Sequence, residues 1–195
     1  MHSHAEALQD VFAHWVSLHT QNRTYVEIGA AFAKQSNTTY LLETAYDWKG
    51  FSLELNTQYQ SEWQPGNLRQ NPCYFENALT FDYVHTCTQL NLSMPLGYLS
   101  CDIDPPTQTL QALQTVISQG LQFDCITFEH DLYYFQPDHD QLGTQYLTQQ
   151  GYKVAVHGVH PVHMPGCVFE TWYVHERLNL PTLSFEQFQI LAKGL

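Results

Sequence analysis

Acidic and amide side chains stand at the ends of five successive apolar runs of the sequence. The runs end in Glu27-Ile28-Gly29, Glu54-Leu55-Asn56, Glu76-Asn77-Ala78, Asp102-Ile103-Asp104 and Glu129-His130-Asp131. A glycine directly after the first run permits the tight turn into a helix that opens nucleotide-type sites. Glu54 follows Gly29 by 25 residues, a spacing at which an acid can accept hydrogen bonds from both hydroxyls of a ribose. The sequence thus predicts a ribose site, with a solvated acid at a strand end as the alternative for Glu54.

Alternating strands and helices must position these side chains. Strands are predicted at 24–30, 51–55, 73–79, 96–104, 123–131, 152–159 and 168–177, and helices at 5–19, 38–46, 57–64, 107–119, 138–150 and 184–193. Residues 82–93 suit either a helix or an extended segment. The alternation predicts a largely parallel sheet with helices on both faces, and the two closing strands predict an antiparallel hairpin at one edge.

Length and charge narrow the class of protein. The 195 residues predict a single domain, 1–195, in which residues 1–23 carry a helix that packs on the sheet. A net charge of −12 with only seven lysines and arginines argues against nucleic acid and anionic membranes as partners. Five cysteines without a CxxC pair predict reduced thiols. With no signal peptide and no run that spans a bilayer, we expect a cytoplasmic protein.

Several short motifs run in order over about residues 24–175, which is most of the chain. They are 25–30 (YVEIGA), 36–40 (SNTTY), 48–50 (WKG), 53–56 (LELN), 77–79 (NAL), 98–102 (YLSCD), 128–131 (FEHD), 151–152 (GY) and 169–172 (FETW). As an ordered set, these stretches resemble the FkbM family of class I S-adenosylmethionine-dependent methyltransferases. The resemblance implies an α/β, Rossmann-like three-layer sandwich with a seven-stranded, mostly parallel sheet and an antiparallel strand at its C-terminal edge. It also implies methyl transfer to oxygen on a small metabolite or a sugar.

The resemblance also assigns the residues that bind S-adenosylmethionine. Glu27 and Gly29 form the turn under the methionine part, and Glu54 binds the ribose. Asn77 and Ala78 flank the adenine, while Asp102 lies near the methionine amino group or the acceptor. The remaining members of the implied cofactor-binding set are Ala30, Ser36 and Asn37, either of the last two also serving as the N-cap of the helix at 38–46.

Two departures from the family keep an alternative function open. Ala31-Phe32-Ala33 stands where the family has a second glycine, so Phe32 is expected to crowd the site. Pro105-Pro106 follows Asp102 where the family carries a glycine and a glutamate. The alternative is a catalytically degenerate, accessory Rossmann-like module that no longer binds the cofactor. A nicotinamide-dependent oxidoreductase is disfavoured, because the glycine-rich cradle for phosphate is missing.

For catalysis, His130 is the preferred general base, because histidine titrates near neutral pH. Glu129 or Asp131 would orient it, and Asp102 completes the catalytic set; the alternative for His130 is a structural role in the loop. Tyr133 and Tyr134 are candidates for the acceptor pocket.

No metal site is expected, although two alternatives were weighed. One is a histidine cluster at 157, 160 and 163; the other is a magnesium site formed by Asp102, Asp104 and Glu129. The expected partner is a small-molecule methyl acceptor, and the sequence does not indicate an oligomeric state.

Overall fold

A computed structural model describes residues 2–64, 68–132 and 139–195, in which eight strands form one sheet. The strands are β1 (Thr24–Ile28), β2 (Lys49–Leu53), β3 (Cys73–Tyr74), β4 (Leu96–Cys101), β5 (Phe123–Glu129), β6 (Tyr152–Val159), β7 (Glu170–His175) and β8 (Leu183–Ser184). The helices are α1 (Gln9–Thr20), α2 (Tyr40–Tyr46), α3 (Tyr83–Gln89), α4 (Pro106–Ser118), α5 (His139–Gln149) and α6 (Phe185–Ala192).

The order of the strands creates a crevice at one edge of the sheet. That order is β3-β2-β1-β4-β5-β7-β6-β8, and every pairing is parallel except those of β7 with β5 and β6. The chain leaves β1 for β2 and β3 on one side, and returns to β4 on the other side of β1. Ligands of open α/β sheets bind at such a switch point, outside the carboxyl ends of the strands. The crevice therefore lies beyond the ends of β1 and β4.

The predicted fold class is confirmed, with local corrections. The sheet has an eighth strand, β8, which pairs with only two residues of β6. The strand predicted at 73–79 stops after Tyr74, whose carbonyl accepts a hydrogen bond from the Glu54 N–H. Instead of the helix predicted at 57–64, a 3₁₀ turn spans Thr57–Tyr59. The ambiguous segment at 82–93 contains α3, whose N-terminus is capped by the Asp82 carboxylate at the His85 N–H.

Alternate residues of the strands fill two apolar layers, one on each face of the sheet. Val26 and Ile28 of β1 face the layer under α3, α4 and α5, whereas Tyr25 faces the layer under α1, α2 and α6. In the second layer the Phe12 ring of α1 packs 4.8 Å from the ring of Trp172. Helix α1 thus packs its apolar side chains against this face of the sheet.

All five cysteines lie in the described residues as free thiols. Over residues 2–64, 68–132 and 139–195, none of the helices combines the length and the apolar character needed to cross a bilayer.

Candidate functional site

The turn after β1 brings three chain segments into backbone contact. Gly29 has a φ of 85°, and its N–H and that of Ala30 both donate to the Leu53 carbonyl, at 2.9 and 3.0 Å. A Cβ atom on Gly29 would lie 1.6 Å from the carbonyl oxygen of Asp102. Glycine is therefore required here for two reasons, the left-handed backbone and the close approach of β4.

A cavity of about 450 Å³ opens beyond this turn, at the carboxyl ends of β1, β2 and β4. Four of its lining residues carry a carboxylate, and none is a lysine, an arginine or a histidine. The lining consists of Gly29, Ala31, Leu53, Glu54, Leu55, Asn56, Tyr59, Glu76, Asn77, Ala78, Asp102, Ile103, Asp104 and Gln108. Five of the predicted cofactor-binding residues meet in this cavity: Gly29, Glu54, Asn77, Ala78 and Asp102.

Glu54 is one of the four acidic residues that line the cavity. One carboxylate oxygen accepts from the Ala31 N–H at 2.8 Å, and the other accepts from the Asn56 N–H at 2.7 Å. A carboxylate has about four acceptor sites, so each oxygen can accept a further hydrogen bond. The two backbone donors fix the carboxylate toward the cavity, with acceptors left for two neighbouring hydroxyls.

Asn77 and Ala78, which follow β3, form another part of the cavity lining. The Asn77 side-chain oxygen accepts from the Leu79 N–H at 2.9 Å, which leaves its amide hydrogens available to a ligand. Ala78 is buried, and its carbonyl accepts from the Tyr83 hydroxyl at 2.9 Å. This part of the lining presents a small apolar side chain beside a polar amide.

Comparison with known proteins identifies the architecture. No protein-family model and no curated protein matches the chain. Among solved structures, it is similar to the plantazolicin methyltransferase BpumL in complex with S-adenosylhomocysteine, at 8% identity and a TM-score of 0.56, over 87% of this chain and 82% of that one. It is also similar to a DUF574 family protein from Streptomyces avermitilis, at 8% identity and a TM-score of 0.53, over 85% and 80% of the two chains. A third similar structure is cofactor-bound Rv0187 from MTB, at 14% identity and a TM-score of 0.51, over 87% and 80%.

The chain has the Rossmann-like methyltransferase fold. Identities of this size support the fold alone, and the resemblance to the FkbM family stays a prediction.

Within this methyltransferase fold, Glu27 lies beneath the turn rather than in the cavity. Its carboxylate is buried and accepts hydrogen bonds from the hydroxyls of Thr38, Thr39 and Ser52, at 2.8, 2.9 and 2.6 Å. The predicted contact with the methionine part of the cofactor is corrected to a structural one. Glu27 thereby links the loop after β1 to Ser52 of β2.

Three other predicted cofactor residues also lie outside the cavity lining. Ala30 is buried against Trp63, and Ser36 is exposed. The Asn37 side-chain oxygen accepts from the Thr39 and Tyr40 N–H groups, at 3.1 and 2.8 Å. Asn37 therefore holds the turn that leads into α2, but the N-cap itself is Thr39 and not Ser36 or Asn37 as predicted, and the contribution of Asn37 to a ligand site is indirect.

His130 does not reach the cavity, which corrects its placement as a general base. The ring is buried, and Nδ1 accepts from the Leu132 N–H at 3.2 Å. That bond places the proton on Nε2, which lies 3.2 Å from the Thr171 hydroxyl and 3.4 Å from a carboxylate oxygen of Asp140. Glu129 pairs with Glu170 in the sheet and is absent from the cavity lining. Tyr133 and Tyr134 lie outside the described residues.

Arg69 is a residue that the sequence analysis missed. It is 3% exposed, and its guanidinium donates to the Glu43 carboxylate, the Asn37 amide oxygen and the Ala33 carbonyl, at 2.7, 3.0 and 3.2 Å. Burial alone would raise the pKa of Glu43, but the charge and hydrogen bonds of Arg69 hold it below its usual value. The guanidinium also lies 4.6 Å from the centre of the Trp63 ring. Arg69 thus clamps the loop that forms one wall of the cavity.

The loop between β1 and α2 has room for the side chain that replaces the family's glycine. Phe32 is 38% exposed and packs on the Tyr59 ring at 4.8 Å, outside the cavity lining. The predicted crowding by Phe32 is therefore wrong for this conformation. The absence of the family's second glycine instead affects the backbone, because Ala31 adopts a left-handed conformation with a φ of 44°.

Replacing Ala31 by glycine should stabilise the protein by about 1 kcal/mol, because a left-handed backbone strains any residue with a Cβ atom. The backbone bonds of Ala31 to Glu54 and Trp63 remain available to glycine. Urea denaturation followed by tryptophan fluorescence measures the change. The control is Ala33→Gly, a buried alanine outside the positive-φ residues, which should lose stability. Equal destabilisation by both changes would contradict strain at Ala31.

Glu170 makes the free energy of unfolding depend on pH. Burial raises the pKa of this carboxyl to about 7 from 4.5, although hydrogen bonds from Trp172 and Gln9 oppose the shift. The folded protein therefore binds a proton that the unfolded chain releases, so stability falls as the pH rises from 4.5 through 7. We expect Glu170→Gln to reduce this slope, by up to about 3 kcal/mol over the range.

Denaturant titrations between about pH 5 and pH 8 test this pH dependence. Glu186→Gln, an exposed residue of α6, is the control and should keep the wild-type slope. An unchanged slope in Glu170→Gln would assign the pH dependence to other acids.

Among the described residues, no group of three histidine, cysteine, aspartate or glutamate side chains has the geometry to hold a metal ion.

Proposed function

We propose that this chain is an S-adenosylmethionine-dependent methyltransferase that acts on a small molecule. The observation that carries the proposal is the cavity at the strand switch point, with Glu54 fixed toward it by two backbone donors. A carboxylate in this position suits the paired hydroxyls of a ribose. The methyltransferase fold of the similar structures supports the same ligand class.

The residues of the cavity fit this cofactor better than a phosphate-bearing one. Its four carboxylates, without a lining cation, would repel a pyrophosphate, whereas S-adenosylmethionine has no phosphate and carries a positive sulfonium. Gly29 leaves room beside Asp102, and Ala78 offers a small apolar surface to a base. A nicotinamide dinucleotide is disfavoured on the same grounds.

In this proposal each residue has a separate task. Glu54 would hold the ribose, Asn77 and Ala78 the adenine, and Asp102 the amino group of the methionine part. When bound, the cofactor supplies an electrophilic methyl group, and the protein aligns the acceptor with it. The resemblance proposes oxygen as the acceptor atom, on a small metabolite or a sugar.

Calorimetry with S-adenosylmethionine and S-adenosylhomocysteine tests the proposal on wild type and Glu54→Ala. We expect wild type to bind both, and Glu54→Ala to bind at least about tenfold more weakly, because it loses hydrogen bonds to a charged acceptor. Glu186→Ala, far along the chain and exposed, should bind like wild type. No heat and no rise in melting temperature at millimolar ligand would favour the alternative, a degenerate module.

A further inference from the structure

The turn after β1 is held by a side chain that lies outside the cavity. Ala31 lines the cavity and has a left-handed backbone, with a φ of 44°. The Trp63 indole N–H donates to the Ala31 carbonyl at 2.9 Å, and the Ala31 N–H donates to the Glu54 carboxylate at 2.8 Å. Trp63 is absent from the cavity lining. Ala31 therefore connects a distant indole ring to the carboxylate that the proposed function assigns to the ribose.

The backbone of Ala31 needs an external constraint, because a non-glycine residue in the left-handed region is strained by about 1–2 kcal/mol. On its N-terminal side, the Asn37 amide donates to the Ala30 carbonyl at 3.2 Å and so holds the peptide group that carries the Ala31 N–H. On its C-terminal side, the Trp63 indole holds the Ala31 carbonyl. Without the indole donor, Ala31 is free to relax toward the right-handed region, and its N–H can turn away from Glu54.

The Trp63 ring is itself restricted in its position. It is 8% exposed and packs in a small apolar cluster with Ala30 and Ala33, which lie on either side of the strained residue. The Arg69 guanidinium lies 4.6 Å from the ring centre and donates to the Ala33 carbonyl at 3.2 Å. Packing and the guanidinium together restrict the rotation of the ring, so its N–H stays directed at the Ala31 carbonyl.

Glu54 has two backbone donors, of which only one depends on Trp63. The Asn56 N–H, at 2.7 Å, belongs to the same chain segment as Glu54, whereas the Ala31 N–H comes from the loop after β1. The last torsion of a glutamate side chain is broad, so a carboxylate held at one oxygen samples many orientations. Two neighbouring hydroxyls of a ribose need both oxygens in a fixed plane, which requires the second donor.

We propose that Trp63 is a positioning residue of the cofactor site, whose indole N–H holds Ala31 in the conformation that orients the Glu54 carboxylate. This inference rests on the proposed function, in which Glu54 binds the ribose. Trp63 acts through Ala31 and not by contact with the cofactor. Removing the indole N–H should therefore weaken cofactor binding by loss of preorganisation, while every group that contacts the cofactor stays present.

Calorimetry with S-adenosylhomocysteine tests this role in a double-mutant cycle. Trp63→Phe removes the indole N–H but keeps an aromatic ring beside Arg69, and we expect the affinity to fall about three- to tenfold. In the Glu54→Ala background the same change should alter the affinity by less than about twofold, because the group that Trp63 orients is absent. A purely structural role of Trp63 would give the same loss in both backgrounds.

The matched control is Trp48→Phe. Trp48 is also buried, but its indole N–H has no hydrogen-bond partner among residues 2–64, 68–132 and 139–195. This change removes a buried indole without removing a donor from the turn, so the variant should keep the wild-type affinity. As a second variant, β-(3-benzothienyl)alanine at position 63 replaces the N–H by sulfur and preserves the shape of the ring. It should fold even if Trp63→Phe does not, and it should show the same loss of affinity.

Three results would overturn the positioning role and leave the proposed function standing. The first is an affinity of both position-63 variants within about twofold of wild type. The second is an equal loss of affinity in Trp48→Phe, and the third is an undiminished effect of Trp63→Phe in the Glu54→Ala background. Failure of the wild type to bind S-adenosylhomocysteine would overturn the proposed function and the inference together.

Discussion

Replacing Arg69 by methionine should destabilise the protein by about 3–5 kcal/mol, because it leaves the buried Glu43 carboxylate without its cation. The guanidinium also donates to the Tyr25 and Thr39 hydroxyls, at 2.9 and 2.8 Å, and these lose a partner too. Glu43 keeps donors from the Gln70 and Asn71 N–H groups, so part of its hydrogen bonding survives. Denaturant unfolding measures the loss.

The matched control for this change is Arg177→Met. Arg177 also pairs with a buried carboxylate, Asp124, but its side chain is 34% exposed. Water can replace part of the interaction of this partly exposed arginine, so we expect a smaller loss of about 1–2 kcal/mol, even though Asp124 is itself buried. The affinity for S-adenosylhomocysteine should fall in Arg69→Met alone, because only Arg69 clamps the loop at the cavity wall. Similar stability losses in both variants would show that burial of the Arg69–Glu43 pair does not increase its contribution to the free energy of unfolding.

The second large effect is expected for Gly29→Ala, which should cost about 2–5 kcal/mol through strain and overpacking. The added methyl group meets the Asp102 backbone at 1.6 Å and the Ile103 side chain at 2.9 Å. Backbone atoms cannot rotate away as a flexible side chain can, so β1 and β4 must separate at the site. We expect the variant to lose cofactor binding even under conditions where it folds.

The control variant Gly120→Ala separates backbone strain from overpacking. Gly120 has a φ of 91°, close to the 85° of Gly29, but a Cβ atom there meets nothing within 4 Å. Its destabilisation reports the backbone strain alone, about 1–2 kcal/mol. The additional destabilisation of Gly29→Ala over Gly120→Ala then measures the contact with Asp102. A difference near zero would mean that the strands accommodate the methyl group.

Hydrophobic periodicity was sufficient to predict the architecture, because the strands and helices of an α/β sheet alternate along the chain. β6 was predicted with its observed bounds, 152–159, since a turn residue and a helix delimit it. Edge strands were predicted less well. Residues 75–79 have the composition of a strand, but the neighbouring strand β2 ends at Leu53 and offers no further partner. Strand pairing of this kind depends on the neighbour and is not encoded locally.

The site shows the same division between local and distant signals. Gly29 and Glu54 were found because their spacing of 25 residues matches a recognised pattern of strand, turn and second strand end. Arg69 was missed because no such pattern links it to Glu43, which lies 26 residues away. The base role given to His130 assumed that every residue after a strand faces the crevice, whereas its ring turns toward Thr171 and Asp140.

The two outermost strands, β3 and β8, have only two residues each. A long, flat edge strand offers a row of free backbone donors and acceptors to strands of other molecules. Here β3 and β8 cover part of β2 and β6 and then end, and each continues into turns or a helix. The sheet therefore ends in poor templates for intermolecular strand addition, which protects an acidic, glutamine-rich protein from edge-to-edge aggregation.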